Sequence, residues 1–179
     1  LRPAAPAALA VVATDLKSLA ADLAAAIAHL QGGTRPLPPG VRFGKAVPAQ
    51  SPPVAFLFPG QGAQYLNMGR EAALYLPEIR EALELADRVL AEAFRAPLST
   101  RILPASAFDP DTEAAQTAEL TDTRVAQPAI GTLALGYLRL AERLGLEAVA
   151  SAGHSYGEYA ALMAAGVLDP ADFLRLSAV

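Results

Sequence analysis

Gly153-His154-Ser155-Tyr156-Gly157 sets a serine between two glycines, after the mostly apolar run Leu146-Glu147-Ala148-Val149-Ala150 and before the helix-forming run from Glu158 to Ala165. The order predicts a buried strand, a tight turn and a helix. A serine at the tip of such a turn sits in a strained backbone conformation. The residues two before and two after it nearly collide, which is why glycine occupies both places. The stretch reads as a nucleophile elbow, with Ser155 as candidate nucleophile and Gly153 and Gly157 as the elbow glycines. The start of the following helix adds free N–H groups and a positive dipole end, an arrangement that suits a developing oxyanion.

A second strand signal lies upstream. Val54-Ala55-Phe56-Leu57-Phe58 is a five-residue apolar run, and Pro59-Gly60-Gln61-Gly62-Ala63-Gln64 breaks it with a glycine-flanked loop. Gly60 and Gly62 let the Gln61 backbone approach another group closely and aim its N–H at a ligand. An oxyanion hole needs two donors. The N–H of Tyr156, next to the serine, and the N–H of Gln61, at the end of a neighbouring parallel strand, are the candidates. Taken alone, a Gly-Gln-Gly loop after a strand is also an ordinary tight turn.

Three spaced motifs now stand in a fixed order: Phe58-Pro59-Gly60-Gln61-Gly62, Thr123-Arg124-Val125-Ala126-Gln127-Pro128-Ala129, and Gly153 to Tyr159 with Ala165-Gly166-Val167-Leu168. Together they resemble the malonyl-CoA:acyl carrier protein transacylase family, in particular the acyltransferase domain of a type I polyketide synthase. The resemblance runs from about Pro53 to the C-terminus. Leu120-Thr121-Asp122-Thr123 and Tyr156 look most like the iterative enediyne type.

The resemblance implies ping-pong transfer of a malonyl group from malonyl-CoA, through an ester on Ser155, to the phosphopantetheine thiol of an acyl carrier protein, with no cofactor consumed. It also implies a histidine general base far downstream and a carboxylate-binding arginine just past Val179. The partners implied are therefore malonyl-CoA, an acyl carrier protein, a neighbouring ketosynthase and the missing C-terminal half of the domain. His154 precedes the serine and should point into the scaffold, so a pocket role is the most it is assigned. Arg175 lies about one turn too early for the carboxylate role. Tyr156, where relatives carry a glutamine, leans toward malonyl because a bulky ring should narrow the pocket. Two other readings stay open: an α/β-class serine hydrolase or thioesterase, and a non-catalytic docking fragment.

Composition sets limits. A chain of 179 residues with 53% hydrophobic content has material for a real core and is no disordered segment. A net charge of −4 without a basic run argues against nucleic acid or an anionic membrane as partner. Zero cysteines exclude disulfides and thiolate metal sites and fit a reducing cytoplasm, and with only His29 and His154 no metal site is expected. The first residue is Leu1 and no signal-peptide layout follows, so the chain reads as cut from something larger.

The expected fold is α/β: a parallel sheet flanked by helices with the serine elbow, a hydrolase-like acyltransferase core that is incomplete, preceded by a small α+β segment. The boundary falls near Pro53, with 1–52 read as the end of a ketosynthase-to-acyltransferase linker subdomain and 53–179 as the N-terminal part of the catalytic domain. In the first part, Ala8–Ala13 reads as a strand and Thr14 as the N-cap of a helix striped by Leu16, Leu19, Leu23, Ile27 and Leu30 and stopped by Gly32-Gly33. His29, off that stripe, reads as solvated. The prolines between Gly33 and Pro53 read as linker, with a short strand at Val41-Arg42-Phe43. In the second part, a helix is expected from Pro77 to Phe94, a polar, turn-rich stretch from Leu98 to Thr123, and a long helix after Gln127-Pro128. Past the elbow, Gly166 reads as a C-cap and Asp169-Pro170 as the start of one more helix.

Overall fold

The computed structural model describes residues 7–45 and 53–178. The chain divides into two compact units, Leu1–Pro52 and Pro53–Val179. The linker reading of 46–52 lies outside the described residues.

In the first unit, β1 (Ala7–Val11) and β2 (Val41–Lys45) pair antiparallel, with Val11 opposite Val41. Helix α1 (Leu16–Leu30) connects them. Its N-cap is Asp15 and not Thr14. The Asp15 carboxylate accepts from Ser18 N–H at 2.7 Å while Ser18 Oγ accepts from Asp15 N–H at 3.1 Å, a reciprocal box that satisfies two end donors. Thr14 is left to bond Ser18 Oγ at 3.3 Å. Gly32, at φ +92°, follows the last turn. His29 is exposed, yet its ring stacks on Phe43 with centroids 5.8 Å apart, which corrects the fully solvated reading.

The second unit carries a two-stranded parallel sheet, β3 (Val54–Phe58) and β4 (Ala148–Gly153). The register ends with Phe58 opposite Gly153, so the segments that leave the two strands start side by side. A bulge between Val54 and Ala55 absorbs one residue of β4. The elbow strand starts later than expected, because Leu146 N–H still closes on Ala141 O at 3.0 Å and Gly145 turns the chain at φ +73°.

Six helices fill the rest of the unit up to the elbow helix: α2 (Arg70–Tyr75), α3 (Pro77–Val89), α4 (Leu98–Ile102), α5 (Pro110–Thr121), α6 (Thr123–Arg143) and α7 (Gly157–Ala164). The last, α8 (Pro170–Ser177), is capped by Asp169, whose carboxylate accepts from Ala171 N–H at 2.8 Å. Gly166, at φ +74°, closes α7. The core joins Ile79, Leu83 and Ala86 of α3 to Ala129, Leu133 and Leu135 of α6, with Phe173 and Leu174 of α8 fully buried beside them. On α3 the spacing of three and four places one apolar stripe inward, whereas α6 is buried almost all round from Val125 to Leu138 and forms the centre of the helical layer.

Three expectations are corrected here. Helix α3 ends at Val89, with Leu90 as its cap, instead of reaching Phe94. The stretch from Leu98 to Thr123 is mostly helical: Asp109 caps α5 by accepting from both N–H and hydroxyl of Thr112 at 2.7 Å, and Asp87 grips the start of α4 through Ser99 N–H (2.9 Å) and Oγ (2.6 Å). Helix α6 begins at Thr123, ahead of Pro128, because the Asp122 carboxylate caps it through Arg124 N–H at 3.0 Å. Pro128 then lies inside the helix, where it withholds the donor for Arg124 O.

Candidate active site

The elbow follows from local sterics. Ser155 has φ +54°, a left-handed conformation that costs a non-glycine residue of order 1–3 kcal/mol and persists only where the surroundings enforce it. They do so here: Gly157 N–H bonds His154 O and Glu158 N–H bonds Ser155 O, both at 2.9 Å, while His154 N–H bonds Phe58 O at 3.2 Å and fastens the turn to the end of β3. The Ser155 side chain is exposed. A Cβ on Gly153 would run into the Gly157 carbonyl, and one on Gly157 into Phe58 O. Gly153→Ala should therefore force the turn open and lower stability by roughly 1–3 kcal/mol or more, as overpacking against rigid backbone does, measured as a fall in the urea midpoint.

The glutamine loop lies against this turn. A Cβ on Gly60 would sit 2.5 Å from His154 O and 3.1 Å from His154 Nδ1, so glycine permits the approach of the two segments. Gly62 turns the loop at φ +106° and its N–H bonds Gln64 Oε1 at 2.7 Å. The N–H groups of Gln61 and Tyr156 donate to no acceptor among the described residues. Two open backbone donors thus flank the segment that carries an exposed serine hydroxyl, an arrangement able to receive an oxyanion.

The side chain of Gln61 has its own work, which the motif did not disclose. Its Nε2 donates to Thr123 Oγ1 at 2.9 Å and its Oε1 accepts from Gln127 Nε2 at 3.3 Å. Thr123 and Gln127 are four apart on α6, hence on one face, and they clamp the loop from that side. Gln61→Ala should release the clamp while leaving the N–H in place. If the loss of one such bond, roughly 0.5–1.5 kcal/mol, falls on the transition state, acylation of Ser155 should slow by about two- to thirteenfold in single-turnover measurements.

Two side chains differ from expectation. His154 is exposed, with Nδ1 beside Gly60, so it points along the loop and not into the scaffold. The backbone bond from His154 N–H to Phe58 O holds the residue beside the loop that leaves β3. Tyr156 is buried, with its hydroxyl 2.6 Å from Ser177 Oγ and its ring 6.1 Å from that of Phe173. The ring therefore packs in the helical core, against α8. Burial pushes its phenol well above the usual tyrosine range, against a smaller downward pull from Ser177. Gly131 of α6 makes the room, since a Cβ there would strike the Tyr156 hydroxyl and lie 2.8 Å from Phe173 Cζ. Arg175 pairs with Asp172 of its own helix at 2.7 Å.

Among the described residues no three His, Cys, Asp or Glu side chains gather as a metal site. Among the described residues, likewise, no helix is long and apolar enough to cross a membrane. Residues 55–179 match the family described as acyl transferase domain, about two thirds of the chain. The chain belongs to the acyl transferase family.

Its relatives agree with that membership. This acyl transferase chain is 40% identical over 115 residues to the malonyl CoA-acyl carrier protein transacylase of Bacillus subtilis, across 64% of the chain and 32% of the relative. It superposes on the acyltransferase domain from the second module of the salinomycin polyketide synthase with a TM-score of 0.71 and 38% identity, over 96% of this chain and 36% of that one. A structure of a type II polyketide synthase acyl-carrier protein in complex with its malonyl-transacylase gives a TM-score of 0.59 at 31% identity, over 69% of this chain and 36% of that one. The chain thus spans about a third of the length of these proteins. The parallel sheet with its serine elbow is the part of the acyltransferase fold present here.

Proposed function

We propose that Ser155 is the nucleophile of a malonyl-CoA:acyl carrier protein acyltransferase that supplies extender units for polyketide synthesis. The observation that carries this reading is the exposed hydroxyl of a serine held at φ +54°, on a turn flanked by the open N–H groups of Tyr156 and Gln61. Ser155 Oγ attacks the thioester carbonyl of malonyl-CoA, and the oxyanion is received by the two N–H groups. Collapse breaks the C–S bond, coenzyme A leaves as the thiol with the serine proton, and a malonyl ester remains. The phosphopantetheine thiol of the carrier then attacks that ester, its proton returns to Ser155 Oγ, and the acyl group leaves as the carrier thioester. The exchange is redox-neutral and consumes no cofactor.

The carrier as acceptor is supported by the malonyl-transacylase complex among the structural relatives. The general base and the arginine for the malonyl carboxylate are assigned to the remainder of the domain, since His154 has no carboxylate partner among the described residues and Arg175 is engaged by Asp172. Residues 1–52 are assigned to the linker subdomain beside a ketosynthase, an assignment supported by the 96% coverage against the salinomycin domain. A cytoplasmic setting suits a cysteine-free chain that handles coenzyme A thioesters.

The test is mass spectrometry of the complete protein after incubation with malonyl-CoA, then with a phosphopantetheinylated carrier. A malonyl adduct on the peptide holding Ser155 that chases onto the carrier is expected. Release of free malonate in place of transfer would mark a hydrolase, and no adduct would mark a docking fragment.

A further inference from the structure

Tyr156 is the one residue of the elbow with a function at each end. Its N–H is one of the two open donors beside Ser155, and its phenol is buried among α6, α7 and α8. The hydroxyl bonds Ser177 Oγ at 2.6 Å, and Ser177, itself buried at the last position of α8, donates to Phe173 O at 2.7 Å. A serine hydroxyl has one proton. Both buried hydroxyls are satisfied when Ser177 O–H donates to Phe173 O and Tyr156 O–H donates to Ser177 Oγ, an arrangement that runs from Tyr156 through Ser177 to Phe173. The ring also lies close to two other aromatic rings, stacked with Phe173 at 6.1 Å and tilted to Tyr159 at 6.3 Å.

We propose that the Tyr156–Ser177 hydrogen bond is a positioning device for acyl transfer, which locks the residue after the nucleophile to α8 and so fixes the direction of the Tyr156 N–H that receives the oxyanion. This rests on the acyl-serine reading above. The residue acts through its own backbone, so its phenol is a positioning group and touches no substrate. An oxyanion donor stabilises charge only if it is held where charge develops, and a tyrosine free to swing loses that advantage in the transition state without altering ground-state affinity.

The experiment compares parent, Tyr156→Phe, Ser177→Ala and the double variant in the complete protein, by urea unfolding and by single-turnover malonylation of Ser155 over a range of malonyl-CoA concentrations. Ser177→Ala strands a buried phenol hydroxyl and should lose the most stability, whereas Tyr156→Phe leaves the Ser177 to Phe173 bond intact. The double variant replaces both partners by apolar groups and should regain most of the stability. Its acylation rate constant should nevertheless stay about tenfold below the parent, as in both single variants, with half-saturation by malonyl-CoA unchanged. Stability that recovers while the rate does not is the signature of positioning. A double variant that acylates at the parental rate overturns the proposal, as does a loss confined to half-saturation. If Ser177→Ala does not fold, Tyr156→Phe and the double variant decide by the same criterion. A parent that takes no label on Ser155 overturns the acyl-serine reading and the device with it, whereas a labelled parent with equally fast variants overturns the device alone.

Discussion

Ser155→Ala should reduce malonyl labelling of the complete protein to background while leaving its unfolding midpoint unchanged. The turn offers no second exposed hydroxyl, since the Tyr156 phenol is buried, and removal of a nucleophile from a serine enzyme leaves only the catalysis that comes from binding and the oxyanion donors, a loss of many orders of magnitude. The fold is indifferent for a separate reason. The side chain is exposed, so truncation opens no cavity, and alanine bears the same left-handed strain at φ +54° as serine, since both carry a Cβ. Ser155→Gly supplies the internal control: it should also be inactive, yet more stable by up to about 1 kcal/mol because glycine relieves the strain. Labelling of the alanine variant at the parental rate would remove Ser155 from the mechanism.

Gln61→Pro should cost roughly 10²–10³ in the acylation rate, as the loss of a single oxyanion donor does. Proline deletes the N–H itself and also disturbs a loop whose neighbour Gly62 is at φ +106°. The comparison with Gln61→Ala separates the two ends of the residue. Alanine keeps the N–H and loses the bonds to Thr123 and Gln127, so its effect should be tens of fold smaller than that of proline. Equal losses in the two variants would place the work of Gln61 in its side-chain amide.

The elbow was legible because its requirement is local: two glycines four positions apart around a serine admit few backbones, and the runs on either side name the strand and the helix. The glutamine loop was legible for the same reason. What escaped depends on distant partners. The clamp joins Gln61 to residues 62 and 66 positions away, and no periodicity in the sequence announces it. Helix α4 exists because Asp87 reaches Ser99 from α3 and Leu98 and Ile102 are buried, a tertiary rescue of a five-residue segment. Helix α5 carries its signal in the sequence, since Asp109-Pro110 starts it as Asp169-Pro170 starts α8. The start of α6 was obscured by Pro128, whose preference for a first turn outweighed the cap that Asp122 provides. The direction of Tyr156 turns on a vacancy in another helix, which its own neighbours in sequence do not reveal.

That vacancy at Gly131 ties four positions into one unit of sequence change. The phenol of Tyr156 occupies the volume that any side chain at 131 would claim, Phe173 closes the same space from α8, and Ser177 receives the hydroxyl. A lineage can enlarge residue 131 only if it shrinks residue 156, and it can lose the serine only if the phenol goes with it. Anyone who randomises position 156 alone to alter acyl choice would therefore sample chiefly holes and stranded hydroxyls in the core. The library to build varies 131, 156, 173 and 177 together.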